Sequence, residues 1–201
     1  FMKGTDYFKY HSCEIDAVRN HVLGDIYHSQ LVEVGVPDAS LDFIGENQEA
    51  YFRFRNNYAN FINKNASRKS VLYAGSNSGM LHAICAGTQV TDSCPKGAGS
   101  EMWGFIPPFV ATNLPQIINK DYDKAGKSGG TNPIFGVDGS PVVHDAFIKG
   151  YKISGNDVVE DPVKKWRTIL FVPYGRGGAG FSVLDVTDPV PSGSTGPIHM
   201  F

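Results

Sequence analysis

Apolar residues along this chain cluster in short runs closed by glycine, proline, asparagine or serine, the pattern of a turn-rich β protein. Val71, Leu72 and Tyr73 form one run. A glycine-bounded turn from Gly75 to Gly79 follows, and then Met80, Leu81, Ala83, Ile84 and Cys85. Two such runs around a Gly/Asn/Ser turn predict a hairpin. The same order recurs near the end of the chain. Ile169 to Val172 lead into a glycine turn over residues 175–180, and Phe181, Val183 and Leu184 follow. Setting VLYAGSNSGMLHAICAGT beside ILFVPYGRGGAGFSVLDVTD aligns the two at an offset of about 100 residues. That spacing exceeds one sheet unit, so insertions separate the copies. The pattern predicts two or three related sheet units. Such units bury their faces by stacking radially, as the blades of a β-propeller do.

Other segments are assigned by the same rules. Ile26, Leu31, Val32, Val34 and Val36 suggest one short strand ended by Pro37. Residues 48–63 predict a single helix, because Tyr51, Phe54, Tyr58 and Phe61 recur at i, i+3, i+7 and i+10. The favoured reading of that stripe is core packing. Residues 101–110 supply a further strand, stopped by Pro107 and Pro108. Residues 119–133 are a loop by composition, and residues 134–148 contain a strand after the Asp138–Gly139 turn. Residues 158–166 are polar and are expected to loop outward.

Composition narrows the class. The chain has 201 residues, 41% hydrophobic and 19% charged, which excludes general disorder. The 23 glycines and 12 prolines agree with many turns. A formal net charge of -2 without a long basic run gives a nucleic-acid partner no support. No run of 18 apolar residues is present, so no spanning helix is expected. The start, FMKGTDYFKYHSC, lacks the apolar core of a secretory signal. It opens on Phe1, and both ends read as cuts through a longer chain.

Candidate chemistry is sparse. Of Cys13, Cys85 and Cys94, the last two bracket a polar, turn-like stretch. A disulfide there would contribute roughly 2–3 kcal/mol through loop closure, and two free or buried thiols are the alternative. Asn119, Asp121 and Asp123 have the 1-3-5 oxygen spacing of a calcium loop. Lys124 at the sixth position and Gly130 at the twelfth depart from that loop, so a solvated polar segment is the favoured reading. The glycine run 175–180 lacks the Gly-Lys-Ser/Thr of a phosphate cradle and reads as a hairpin turn. Asp185, Asp188 and Asp138 are expected to accept backbone N–H bonds and close turns. His82 reads as a hydrogen-bonded histidine between sheet units. Trp103 and Trp166 read as packing residues whose N–H groups meet backbone carbonyls. No nucleophile elbow and no H-E-x-x-H zinc motif is present.

Six segments together resemble the PilY/PilC family of type IV pilus tip-associated proteins. GDIYHSQLVEVG resembles the segment that opens that family's propeller. YFRFRNNYANFINKNASRKSVLYAG is similar to its aromatic helix, which leads through an arginine into a hairpin. GSNSGMLHAI resembles its G-A-N-D-G-M-L-H-A-F signature, and EMWGFIP its E-x-W-A-F-x-P. FGVDGSPVVHDAF and WRTILFVPYGRGGAGFSVLDVTDP resemble its V-D-G-S-P and L-D-V-T-D-P segments. The six fall in family order between residues 24 and 189. There are departures: Ser78 stands for an Asp, Ile84 for a Phe, Val183 for an Ala, and the Cys85–Cys94 loop for a shorter turn.

The resemblance implies an all-β, quinoprotein-like β-propeller, partial, with two or three blades and one inserted α-helix. Residues 1–23 would lead into it and residues 24–201 would form it. It further implies a much longer, exported parent with an N-terminal adhesive or mechanosensitive region, and a role in pilus biogenesis and surface attachment. The implied place is the extracellular pilus tip, with minor pilins and the major pilin as partners and a host or abiotic surface as target. Calcium is a theme of the family, and its acidic loop is expected downstream of this chain. An enzyme of the quinoprotein dehydrogenase class is the alternative, since GSNSGMLHAI followed by EMW is reminiscent of its blades. A generic scaffold propeller that binds a protein partner is the third possibility.

Overall fold

Each apolar run between turns becomes a strand. The structure is a computed structural model that describes residues 23–45, 47–87, 94, 97–117, 134–190 and 196–201. Four short strands form the first sheet: β1 (Val32–Val34), β2 (Val71–Gly75), β3 (Leu81–Cys85) and β4 (Glu101–Phe105). The second holds β5 (Val142–Ser154), β6 (Asp157–Pro173), β7 (Phe181–Asp185) and β8 (Ile198–His199). Both are four-stranded, in the orders β1-β2-β3-β4 and β5-β6-β7-β8, with antiparallel neighbours throughout. Consecutive strands are thus neighbours, and each sheet is a simple meander, as in a propeller blade. The two segments that align in sequence are the central pairs β2–β3 and β6–β7.

The period of two in these strands sends alternate side chains to one face. Val71, Tyr73, Leu81, Ala83 and Trp103 of the first sheet meet Leu170, Val172, Leu184 and Val186 of the second chain half, with Val34, Val110, Val137 and Tyr174 completing the cluster. Each fully buried Val or Leu here contributes about 1.5–3 kcal/mol. The opposite face of the second sheet keeps Val142, Phe171 and Phe181 exposed, with the two phenyl rings 4.7 Å apart. The two sheets do not close a ring by themselves.

Four expectations are corrected. Residues 48–63 form two helices, α1 (Gln48–Arg55) and α2 (Tyr58–Lys64). Asn57 breaks them in the left-handed conformation (φ 56°), which Asn tolerates better than most residues. Tyr58 and Phe61 are buried against Trp166, whereas Tyr51 and Phe54 stay half exposed beside Phe43. The strand from Glu101 ends at Phe105, and Pro108–Ala111 is a short helix, α3, begun by a proline at its first position. Residues 158–166 are no loop: they belong to β6 and form a long ribbon with β5. Pro162, without an N–H, falls at the register shift near Ile148 and Gly150, where a bulge removes the need for a ladder bond. The early strand shrinks to Val32–Val34, and Ile26 and Leu31 are exposed. Residues 1–22 of the expected lead-in segment 1–23 lie outside the described residues.

Trp103 fixes the two halves to each other. Its Nε1 donates to the Pro189 carbonyl at 2.8 Å, and its ring lies 5.6 Å from that of Tyr73. Trp103→Ala is expected to cost about 3–5 kcal/mol, read as a lower urea midpoint. An unchanged midpoint would refute this role.

Candidate functional site

The glycine-rich motifs converge at one end of the sheets. Residues 134–141 thread between the β2–β3 turn and the β6–β7 turn. Val137 N–H donates to the Ser76 carbonyl at 3.0 Å, and Asp138 N–H to the Tyr174 carbonyl at 3.2 Å. The approach is closer than a side chain permits. A Cβ on Gly177 would lie 1.5 Å from the Gly136 carbonyl oxygen, and one on Gly75 would lie 2.2 Å from that of Val137. Asp138 is buried in this seam, and His28 Nδ1 sits 2.9 Å from both of its carboxylate oxygens.

Beside the seam runs a relay of polar side chains. Glu101 Oε1 is 2.6 Å from His82 Nδ1, and His82 Nε2 is 3.0 Å from Ser76 Oγ. Ser76 Oγ is in turn 2.6 Å from Ser78 Oγ. A carboxylate can only accept, so Nδ1 donates to Glu101, while Ser76 Oγ donates to the Met80 carbonyl at 3.2 Å and lies within hydrogen-bond distance of Nε2. The order resembles nucleophile, base and orienting acid. Ser76 is only 1% exposed, however, and its oxygen is enclosed by Ser78, His82 and the Met80 carbonyl. A nucleophile needs open approach, so the relay holds the turn. Among the described residues both partners of His82 belong to the first sheet or its turn, where a histidine between sheet units was expected.

At the opposite end of β2 a second polar cluster ties the sheets. The Arg68 guanidinium donates to the Gly35 carbonyl and, through Nη1, to Thr168 Oγ1 at 2.6 Å. Thr168 Oγ1 donates to Asp145 Oδ1 at 2.6 Å, and the Tyr58 hydroxyl donates to Asp145 Oδ2. Burial, with the Asp145 carboxylate beside it, pushes the Tyr58 phenol well above its usual range. Burial pulls the Arg68 guanidinium down, opposed by the Asp145 charge.

Arg167 is buried between two carboxylates, 2.5 Å from Asp185 Oδ2 and 2.7 Å from Asp161 Oδ2. Asp185 Oδ1 accepts from Thr187 N–H at 3.0 Å and from Thr187 Oγ1 at 2.6 Å. A hydrogen bond from Lys165, reinforced by its charge and that of Arg167, holds the Asp161 carboxyl below its usual range.

The remaining sequence candidates take these positions. Trp166 Nε1 donates to the Asn56 carbonyl at 2.8 Å, which docks the helix break on the second sheet. Exposed Asp188 accepts from Val190 N–H at 3.1 Å. Cys85 and Cys94 are disulfide-bonded, with Cα atoms 5.9 Å apart. Asn119, Asp121 and Asp123 lie outside the described residues, as does Cys13. Among the described residues no group of three His, Cys, Asp or Glu side chains could hold a metal ion. The sequence reading missed Arg68, Tyr58 hydroxyl, Asp145, Arg167 and His28 as polar ties. Their partners lie up to 110 residues away, and no local spacing marks them.

Asp185→Ala is expected to cost roughly 3–5 kcal/mol, because Arg167 loses a buried partner, measured by denaturant unfolding. Asp161 has a lowered folded value, so its contribution is complete above the unfolded value. It is lost as pH falls through that lower folded value. Asp161→Asn should therefore flatten the stability profile below about pH 4, and an acid limb identical to wild type would contradict this.

The family described as the PilY1 beta-propeller domain matches residues 23–194. The type IV pilus biogenesis factor PilY1 homolog of Xylella fastidiosa is 31% identical over 172 residues, 86% of this chain and 11% of that protein. The type IV pilus biogenesis factor PilY1 of Pseudomonas aeruginosa is 33% identical over 171 residues, 85% of this chain and 12% of that protein. The crystal structure of the Pseudomonas aeruginosa PilY1 C-terminal domain matches 66% of this chain and 19% of that one, at 28% identity and a TM-score of 0.37. The chain thus spans 11–12% of the length of the curated relatives it matches.

Proposed function

This chain belongs to the PilY1 β-propeller domain family, and from that premise we propose that it is a non-enzymatic part of a type IV pilus biogenesis factor. In this reading the parent protein is exported and works at the extracellular pilus tip. Minor pilins and the major pilin are its partners, and a host or abiotic surface is its target. The observation that carries the reading is the family match across residues 23–194, whose glycine motifs meet in one structural seam.

The polar groups support a binding role over turnover. Asp138, Asp145, Asp161 and Asp185 are each engaged by a neighbouring side chain. Their bonds hold bends and sheet contacts. For calcium the reading keeps two places: the segment with Asn119, Asp121 and Asp123, or the parent protein beyond this chain. No helix among the described residues is long and apolar enough to cross a membrane.

Deleting residues 23–194 from the parent gene should reduce surface pili, counted after shearing, and abolish attachment. Wild-type piliation would contradict the proposal. Adding pyrroloquinoline quinone and an alcohol to the purified chain should give no dye reduction, and steady reduction would favour the quinoprotein alternative.

A further inference from the structure

The segment 24–30 crosses the mouth of the glycine seam and touches both turn systems. The Asp25 carbonyl accepts from Asn77 N–H at 2.8 Å, and Ser29 Oγ accepts from Gly75 N–H at 2.9 Å. Toward the other side, His28 Nδ1 meets the Asp138 carboxylate. Ser140 Oγ donates to the His28 carbonyl at 3.3 Å and accepts from Gln30 N–H at 3.1 Å. Gly24 lies against Ser78, the outer end of the hydroxyl relay, where a Cβ would come within 2.4 Å of the Ser78 Cβ.

This attachment differs in kind from the rest of the fold. Ile26 is 38% exposed and Tyr27 72%, and of residues 25–30 only Ser29 is buried. The sheets cohere through apolar burial, and the segment coheres through hydrogen bonds, of which only the Ser29–Gly75 bond is buried and the His28–Asp138 contact part-buried. A typical bond of that kind contributes modestly, and segments with few buried apolar contacts open well below the free energy of global unfolding.

We propose that residues 24–30 form a latch that lifts from the seam as a unit while both sheets stay folded. This goes beyond the proposed function. His28 is the pin, because Asp138 is the buried anchor and its side chain is 3% exposed against 42% for His28. Lifting bares the Asp138 carboxylate, the N–H groups of Gly75 and Asn77, and the Ser78 end of the relay. The closed segment covers that polar face. A pull on the chain before Gly24 therefore acts first on the Asp25–Asn77 bond and then on the His28–Asp138 contact.

Hydrogen exchange on the whole 201-residue chain tests this. The amides of Gln30, Gly75 and Asn77 should exchange at least tenfold faster than those of Leu81–Cys85. His28→Ala should speed those three amides a further tenfold and leave Leu81–Cys85 unchanged. Ser140→Ala, which takes away the acceptor of Gln30 N–H, should act in the same direction with a smaller effect. Exchange of the three amides at the rate of Leu81–Cys85 in the wild type would overturn the latch. So would variants that accelerate the sheet amides equally.

Discussion

Three stretches of backbone share one narrow space, and the rest of the architecture is arranged around that contact. Residues 134–141 pass between two hairpin turns so closely that the Gly177 Cα and the Gly136 carbonyl leave no volume for a methyl group. The opposing Gly75 and Val137 impose the same limit on the other side. Close packing makes such a contact all-or-none: the neighbours are backbone, which cannot rotate away as a side chain can. The turns carry strands β2–β3 and β6–β7 with them. Fixing the turns therefore fixes the angle and spacing at which the two sheets meet.

The sheets then bury what neither could bury alone. A four-stranded meander has one apolar face too many for water, and here Tyr73, Leu81, Leu170 and Leu184 fill the shared interior. Polar ties close the far end. Arg68, Thr168, Asp145 and Tyr58 run in one hydrogen-bonded line from Gly35 to α2. The two indoles serve as pegs at separate points, one on Pro189 and one on Asn56. In this arrangement the acidic and aromatic residues of the recurring motifs position backbone.

Much of this was legible in the sequence because it is local. A hairpin is specified by two apolar runs and the turn between them, so β2–β3 and β6–β7 were readable from Val71–Cys85 and Ile169–Asp185. The family resemblance then supplied the propeller. What escaped was non-local or depended on a single backbone angle. The aromatic period over residues 48–63 continues unbroken through Asn57, and nothing in that period reveals a left-handed residue. Residues 158–166 mix charges with valines and a proline, a pattern shared by exposed loops and projecting ribbons. The ribbon forms because Lys149–Ser154 supply a partner strand, with Gly155 (φ 64°) and Asn156 at its turn. The ties of Arg68 to Thr168 and of Tyr58 to Asp145 join residues 100 and 87 positions apart. Only the assembled sheets bring them together.

The close backbone contact is tested most directly by one pair of neighbouring substitutions. A methyl on Gly177 would meet the Gly136 carbonyl, whereas one on Gly178 would meet the Tyr174 ring at an ordinary 3.5 Å, from an extended backbone (φ 171°) that any residue adopts. In denaturant unfolding, Gly177→Ala is expected to lose on the order of 3 kcal/mol or fail to fold, and Gly178→Ala to stay within about 1 kcal/mol of wild type. Equal stability of the two variants would contradict the account.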